Sequence, residues 1–205
     1  QTDRQTDRQT DRQTDRQSII RLLQYVFGYA TVTLPDISEN CDNLREPVTS
    51  GKREAGQVPY YGASGVVDYV SGYIFDGDYL LVSEDGANLL ARTTPIAFSV
   101  RGKSWVNNHA HVLRFASYEM QKYVEYYLNS VDLSQFISGG AQPKLNQKNL
   151  NKIPILLPSS EKVTRIVRIL EQFDTLCNDI NKGIPAEINA RKRQYEYYRD
   201  KLLKF

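Results

Sequence analysis

Between residues 34 and 158 short apolar runs are broken repeatedly by turn-forming groups: Thr49-Ser50-Gly51, Gly62-Ala63-Ser64-Gly65, Ser71-Gly72, Asp76-Gly77, Asp85-Gly86 and Arg101-Gly102. Closely spaced turns with β-branched and aromatic residues between them predict a β-rich domain, with strands at VVDYV, YLLVS and PIAFSV. The two Asp-Gly pairs read as hairpin turns. From Ser117 to Val131 the apolar positions Met120, Tyr123, Val124, Tyr127, Leu128 and Val131 follow helical spacing, with Ser117 able to cap a helix that packs on the sheet. Gly139-Gly140 and Pro143 then enforce a loop, Asn146 can cap a short helical turn, and IPILLP reads as a buried strand that closes the domain at Pro158.

Beyond Glu161 the pattern changes. Val163, Ile166, Leu170, Phe173, Cys177 and Ile180 step alternately by three and four, the a/d seam of a coiled coil. Gly183 and Pro185 interrupt it, and Ile188, Tyr195, Tyr198, Leu202 and Phe205 resume the spacing, with Arg191 at the missing seam position. The expected fold class is therefore α+β: a β-rich domain over 34–158 followed by a helical, coiled-coil arm over 159–205. Upstream, residues 1–17 repeat QTDR four times and end in Gln17. With nothing apolar to bury, this tract is expected to be disordered or at most a fraying helix. Residues 18–33 are a linker whose structure the pattern does not define.

At 205 residues and 23.5 kDa the chain has room for one ordinary domain and an appendage. Its net charge is +2, and in the repeat Arg4, Arg8, Arg12 and Arg16 cancel Asp3, Asp7, Asp11 and Asp15. Any nucleic-acid role thus requires a local basic face. Cys41 and Cys177 lie far apart without metal-like spacing, which favours free thiols in a reducing cytoplasm. The apolar stretch Ser18 to Pro35 contains Arg21 and Gln24 and is short for a membrane span of roughly 20 residues. The repeat has a further reading at the level of its gene. CAG ACA GAC AGA encodes Gln-Thr-Asp-Arg and is the tetranucleotide CAGA written three times, open in all three forward frames. Slippage by one unit would shift the downstream frame, so the tract is expected to be a phase-variation switch; the alternative is a structural linker.

The segments VPYYGASGVVDYV, YIFDGDYLLVSEDGANLL, WVNNHAHVL, YYLNS, GGAQPKLNQKNLNKIPI and IPAEINARKRQYEYYRDKLL resemble, in that order, the specificity subunits of type I restriction-modification systems. The resemblance covers roughly residues 34 to 205. It implies that residues 34–158 are a target-recognition domain reading one half of a bipartite DNA site, and that residues 159–205 are an assembly arm, in a half-length form. The implied partners are double-stranded DNA, modification (methyltransferase) and restriction subunits, and a second half-specificity subunit, as in a homodimer. The implied S-adenosylmethionine, ATP and magnesium belong to the partner subunits, with no cofactor, metal or catalytic residue on this chain. The chain departs from the family at PSSEKVTRIV, where a proline-rich, Glu-Gln-containing entry to the arm is common, and residues 1–33 match nothing recognisable.

Candidate DNA contacts follow from side-chain chemistry. Tyr60, Tyr61 and Ser64 flank a small-residue loop that can bring backbone close to phosphates; the bland reading is a tight turn. Lys52, Arg53, Arg101 and Lys103 flank loops and suit phosphates, or are solvated charges. Asn107 and Asn108 follow Trp105 and can pair with adenine edges. His109 joins them; with His111 it would share one face of an extended strand and suit a metal pair, although hydrogen bonding or packing is the preferred role. Gln142, Lys144, Asn146, Gln147 and Lys148 sit at a loop-to-helix junction apt for base or phosphate contacts, or for capping. The assembly residues are Val163, Ile166, Leu170, Phe173, Cys177, Ile180, Ile188, Tyr195, Tyr198 and Leu202. Asp76, Asp78, Glu84 and Asp85 raise a metal-dependent nuclease as one rival reading. A coiled-coil adaptor with a protein-binding β domain is the other.

Overall fold

The structure, a computed structural model, describes residues 2–175, 191–194 and 197, with side chains from residue 14 onward. It separates into two compact units, Gln1–Thr164 and Arg165–Phe205. In the first, helix α1 (Thr2–Phe27) leads into β1 (Tyr29–Val32), α2 (Leu34–Ile37) and β2 (Ser38–Asn40). Then follow β3 (Ala55–Gly62), β4 (Gly65–Val70), β5 (Phe75–Ser83), α3 (Asn88–Ala91), β6 (Ala97–Val106), β7 (Ala110–Phe115), α4 (Tyr118–Ser130), α5 (Gln147–Leu150) and β8 (Ile155–Pro158).

Six strands form one sheet in the order β2-β7-β5-β6-β3-β4, and β1 and β8 pair separately as an antiparallel ribbon. Only β3 and β6 run parallel. The three strands expected from sequence are β4, β5 and β6. Their buried positions, among them Val70, Leu80, Leu81, Val82 and Val100, supply the packing that the alternation requires. Cys41, Phe75, Leu81, Val100, Val106, Ala110 and Val112 form one core cluster, with Tyr61, Ile74, Tyr79 and Phe98 packed against it.

Gly77 and Gly102 face each other across β5 and β6 with φ of +145° and +79°, a conformation open to glycine and costly for other residues. The C-terminal end of β5 reaches the β3–β4 hairpin, where the Ser83 hydroxyl donates to the Ala63 carbonyl. Two sequence expectations are corrected here. Asp76-Gly77 and Arg101-Gly102 lie inside paired strands, not at turns, their glycines opposite each other at positive φ; Asp85-Gly86 leads into α3. The expected turn Gly62-Ala63-Ser64-Gly65 is a hairpin turn, joining β3 to β4.

Helix α4 is the expected amphipathic helix, its first turn capped by Ser117, whose hydroxyl accepts from the Met120 amide at 3.2 Å. It packs on β5, β6 and β7 and buries Tyr123, Val124 and Leu128, each apolar side chain contributing about 2 kcal/mol. At its far end Asn129 acts as a missing strand: its Oδ1 accepts from the amides of Ile96 and Ala97 at 2.9 and 3.1 Å, and its Nδ2 donates to the Ala97 carbonyl at 2.7 Å.

The N-terminal segment also departs from expectation. The tract expected to be disordered or at most a fraying helix is helical and continuous with residues 18–27. The repeat places Arg4, Arg8 and Arg12 each three residues before an aspartate, a helical pair spacing, and the C-terminal half of α1 is anchored. Ile20 is buried, Gln24 donates to the Leu157 and Pro158 carbonyls, and Arg16 pairs with Asp36 at 2.7 Å. Residues 29–32, expected as linker, are a strand pairing with β8, so the folded domain starts upstream of Leu34.

In the arm, residues 160–175 are helical. Val163 is buried, Ile166 and Leu170 are half-buried, and Phe173 is exposed. Cys177, Ile180, Ile188, Tyr195, Tyr198, Leu202 and Phe205 lie outside the described residues.

Candidate nucleic-acid interface

Four segments distant in sequence meet where β5 ends. The β3–β4 turn is tied to Ser83, and the Asn107 amide donates to the Tyr61 carbonyl at 3.1 Å. The turn before β7 is ordered by Asn107 Oδ1, which accepts from the His109 amide at 2.8 Å, while the Glu84 amide donates to the His109 carbonyl at 2.9 Å. The loop between α4 and α5, residues 138–146, folds back onto the same place. Ser138 and Lys144 exchange backbone hydrogen bonds at 2.7 and 2.8 Å, the Gly86 amide donates to the Pro143 carbonyl at 3.1 Å, and the Leu145 amide donates to the Glu84 carbonyl at 2.7 Å. Gly139 permits that return: its φ is +83°, and an added Cβ would lie 2.4 Å from the Gln142 carbonyl oxygen. Exposed at this confluence are Ser64, Asn108, His109, Gln142 and Lys144.

Beneath them lies a buried ionic cluster. His111 Nδ1 stands 2.6 Å from Asp42 Oδ2 and its Nε2 2.7 Å from the Leu145 carbonyl. Asp42 Oδ1 accepts from the Val112 amide at 2.8 Å. Arg45 donates to Glu84 at 2.7 Å and to the Ala110 carbonyl at 2.8 Å, and Lys144 Nζ reaches Glu84 at 3.2 Å. Burial alone would raise the Asp42 carboxyl, but the hydrogen bond and charge of His111, the Val112 amide and Arg45 hold it below the usual range. Glu84 is depressed in the same way: Arg45, His111 and Lys144 outweigh its burial.

Several expected contacts are corrected. Tyr60 is buried, its hydroxyl accepting from the Val48 amide at 2.9 Å, so it is a core residue and is not exposed beside Ser64. Asn107 is buried and shapes its turn. Asn146 accepts from the Asn149 amide at 3.0 Å and caps α5. The histidines do not share a face: His109 sits in the turn, exposed and 2.8 Å from Asp85, whereas His111 points inward on β7. Among the described residues no group of three or more His, Cys, Asp or Glu side chains is arranged to hold a metal. Asp78 pairs instead with Arg101 at 3.2 Å.

The four basic loop residues lie elsewhere. Arg53 bonds Asp68 at 3.0 Å and the Val48 carbonyl at 2.9 Å and lies 4.3 Å from the centre of the Tyr60 ring. Lys103 Nζ is 4.5 Å from the Tyr73 ring centre. Lys52 and Arg53 line a cavity of about 290 Å³ with Glu54, Tyr60, Ser71 and Trp105. Tyr61 is half-buried within the core, while Gln147 and Lys148 are exposed on α5. Sequence reasoning missed Asp42, Arg45 and Glu84 as a unit with His111, since Asp42 and His111 are 69 residues apart.

Residues 28–190 match the family model described as the type I restriction modification DNA specificity domain. A putative type I restriction enzyme specificity subunit of Haemophilus influenzae is 36% identical over 174 residues, spanning 83% of this chain and 45% of that protein. A putative type I specificity subunit of Mycoplasma pneumoniae is 30% identical over 154 residues, 73% of this chain and 62% of that protein. The chain thus spans less than two thirds of these curated relatives. In fold it is similar to the crystal structure of the type I restriction-modification S subunit from M. genitalium, with a TM-score of 0.59 at 18% identity over 85% of this chain and 46% of that one.

Proposed function

The chain belongs to the type I restriction-modification DNA specificity family, and from that premise we propose that its first unit reads one half-site of a bipartite DNA sequence. The observation that carries the reading is the confluence at the end of β5, where Ser64, Asn108, His109, Gln142 and Lys144 stand exposed on loops that the sheet and its ionic cluster hold in place. Amide side chains can read base edges, and lysine and backbone amides can meet phosphates. In this reading the chain performs no chemistry. Modification and restriction subunits supply it with S-adenosylmethionine, ATP and magnesium, and the helical arm joins the chain to a second half-specificity subunit and to the modification subunit. No helix among the described residues is long and apolar enough to cross a membrane.

The test is capture and sequencing of protected DNA by the chain co-expressed with its modification subunit, with and without Glu161 to Phe205. A bipartite motif that is lost with the arm is expected. The reading fails if no motif is enriched by either form, or if binding is insensitive to salt, since phosphate contacts release counterions. The period of the repeat supports a regulatory role as well: slippage in a tetranucleotide tract turns production of the full chain on and off. Sequencing the tract in sibling colonies is expected to find units gained and lost, and an invariant length across many colonies would sink the idea.

A further inference from the structure

We propose that His111 is a positioning residue for DNA selectivity: as an imidazolium held between Asp42 and the Leu145 carbonyl, it fixes loop 138–146 in the arrangement from which Gln142 and Lys144 meet DNA. The proposal rests on the recognition reading above and adds to it a group that touches no DNA.

The protonation of the ring follows from its neighbours. Nε2 faces a carbonyl oxygen, which can only accept, so this nitrogen carries a proton. Nδ1 faces Asp42, whose carboxyl accepts from the Val112 amide and lies 3.4 Å from Arg45. Such a carboxyl is ionised and also only accepts, so Nδ1 carries a proton too. A ring that donates from both nitrogens is a cation. At 1% exposure that charge is tolerated because it is paired and fully hydrogen-bonded. The charged groups facing it are Asp42, Arg45 and Glu84, the last at 3.9 Å, with Lys144 at the rim. The exposed Asp85–His109 pair lies above them.

The loop depends on this arrangement at its closing end. Leu145 gives its amide to Glu84 and its carbonyl to His111, and Lys144 immediately before it is bonded through its backbone to Ser138 and through its side chain to Glu84. A neutral imidazole can satisfy only one of its two present acceptors as a donor. Loss of one proton therefore leaves either the Leu145 carbonyl or Asp42 without its partner in a dry interior. If the Leu145 bond is the one released, the segment bearing Gln142 and Lys144 loses its inner anchor while every exposed side chain stays the same. Selectivity, which needs a fixed geometry, then falls further than general DNA affinity, which needs only charge.

The test uses the full chain with its modification subunit, as wild type, His111→Gln and Glu84→Gln, against a randomised duplex library. A folded H111Q is expected to bind random duplex within about twofold of wild type and to lose about tenfold in enrichment of the preferred sequence, the discrimination of one base contact. Amide exchange at Lys144 and Leu145 should accelerate. Unchanged enrichment in folded H111Q overturns the proposal. Where H111Q does not fold, E84Q keeps the shape, removes a charge and should lose about threefold, with the same selectivity-over-affinity split; equal losses on preferred and random duplex count against positioning. Ring-nitrogen chemical shifts of His111 in the wild type must show two protonated nitrogens, and a neutral ring overturns the assignment directly. If the wild type enriches no sequence, the recognition reading fails, and the clamp is judged by amide exchange alone.

Discussion

The two polar regions of the domain use similar side chains to opposite ends. Around Lys52, Arg53, Arg101 and Lys103 most of the cations are already engaged: Arg53 by Asp68, Val48 and the Tyr60 ring, Arg101 by Asp78, and Lys103 by Tyr73. At the end of β5 Asp42, Arg45, Glu84 and His111 are engaged beneath the surface, Lys144 reaches down to Glu84 from the rim, and the groups above include the exposed amides of Asn108 and Gln142. A basic residue beside a loop is therefore by itself a poor guide to a contact.

The contrast is sharpest for Arg45. Arg45→Ala removes three hydrogen bonds from a cluster and leaves Glu84 less compensated, and is expected to cost about 3 kcal/mol by urea denaturation; a loss no larger than that of a surface arginine would break the comparison. Acid should act on the same cluster. Asp42 and Glu84 are both depressed in the folded chain, so their stabilisation is present above the ordinary carboxylate range and is lost as pH falls through their folded-state titration. Denaturant midpoints followed downward in pH should fall, and E84Q should flatten the curve. Arg53→Ala comes next, costing about 2 kcal/mol through the Val48 hydrogen bond and the ring contact, with DNA affinity of the folded fraction unchanged; a large affinity loss would move the interface to this region. The smallest effect is that of Lys144→Ala on binding: about threefold weaker, with the salt slope reduced by about one. Lys103→Ala serves as its control and should change neither.

The central strands were legible as apolar runs, Leu80, Leu81 and Val82 being buried one after another, and α4 was legible from its helical spacing, which Val124 and Leu128 bury. Asn146 was legible as a cap from its place before a helical turn. The shorter elements were not: β1 and β2 have four and three residues and are defined by partners at residues 155–158 and 113–115. Gly77 and Gly102 misled because a glycine looks alike in a turn and in a paired strand. Tyr60 misled because aromatic character does not say which side of a sheet a residue faces. The cluster of Asp42, Arg45, Glu84 and His111 was invisible for a different reason: it exists only after β7 pairs with β5 and the chain near residue 42 crosses its end.

The manner in which loop 138–146 is held has an evolutionary consequence. Its anchors are backbone groups of Ser138, Pro143, Lys144 and Leu145 and the buried side chains beneath them, so Gln142 is free of that duty. Substitutions at Gln142, or at Asn108 across from it, can accumulate without a stability threshold being crossed. Under the proposed recognition role, new target sequences then lie a few mutational steps apart, and a lineage would change what it recognises while inheriting the same scaffold.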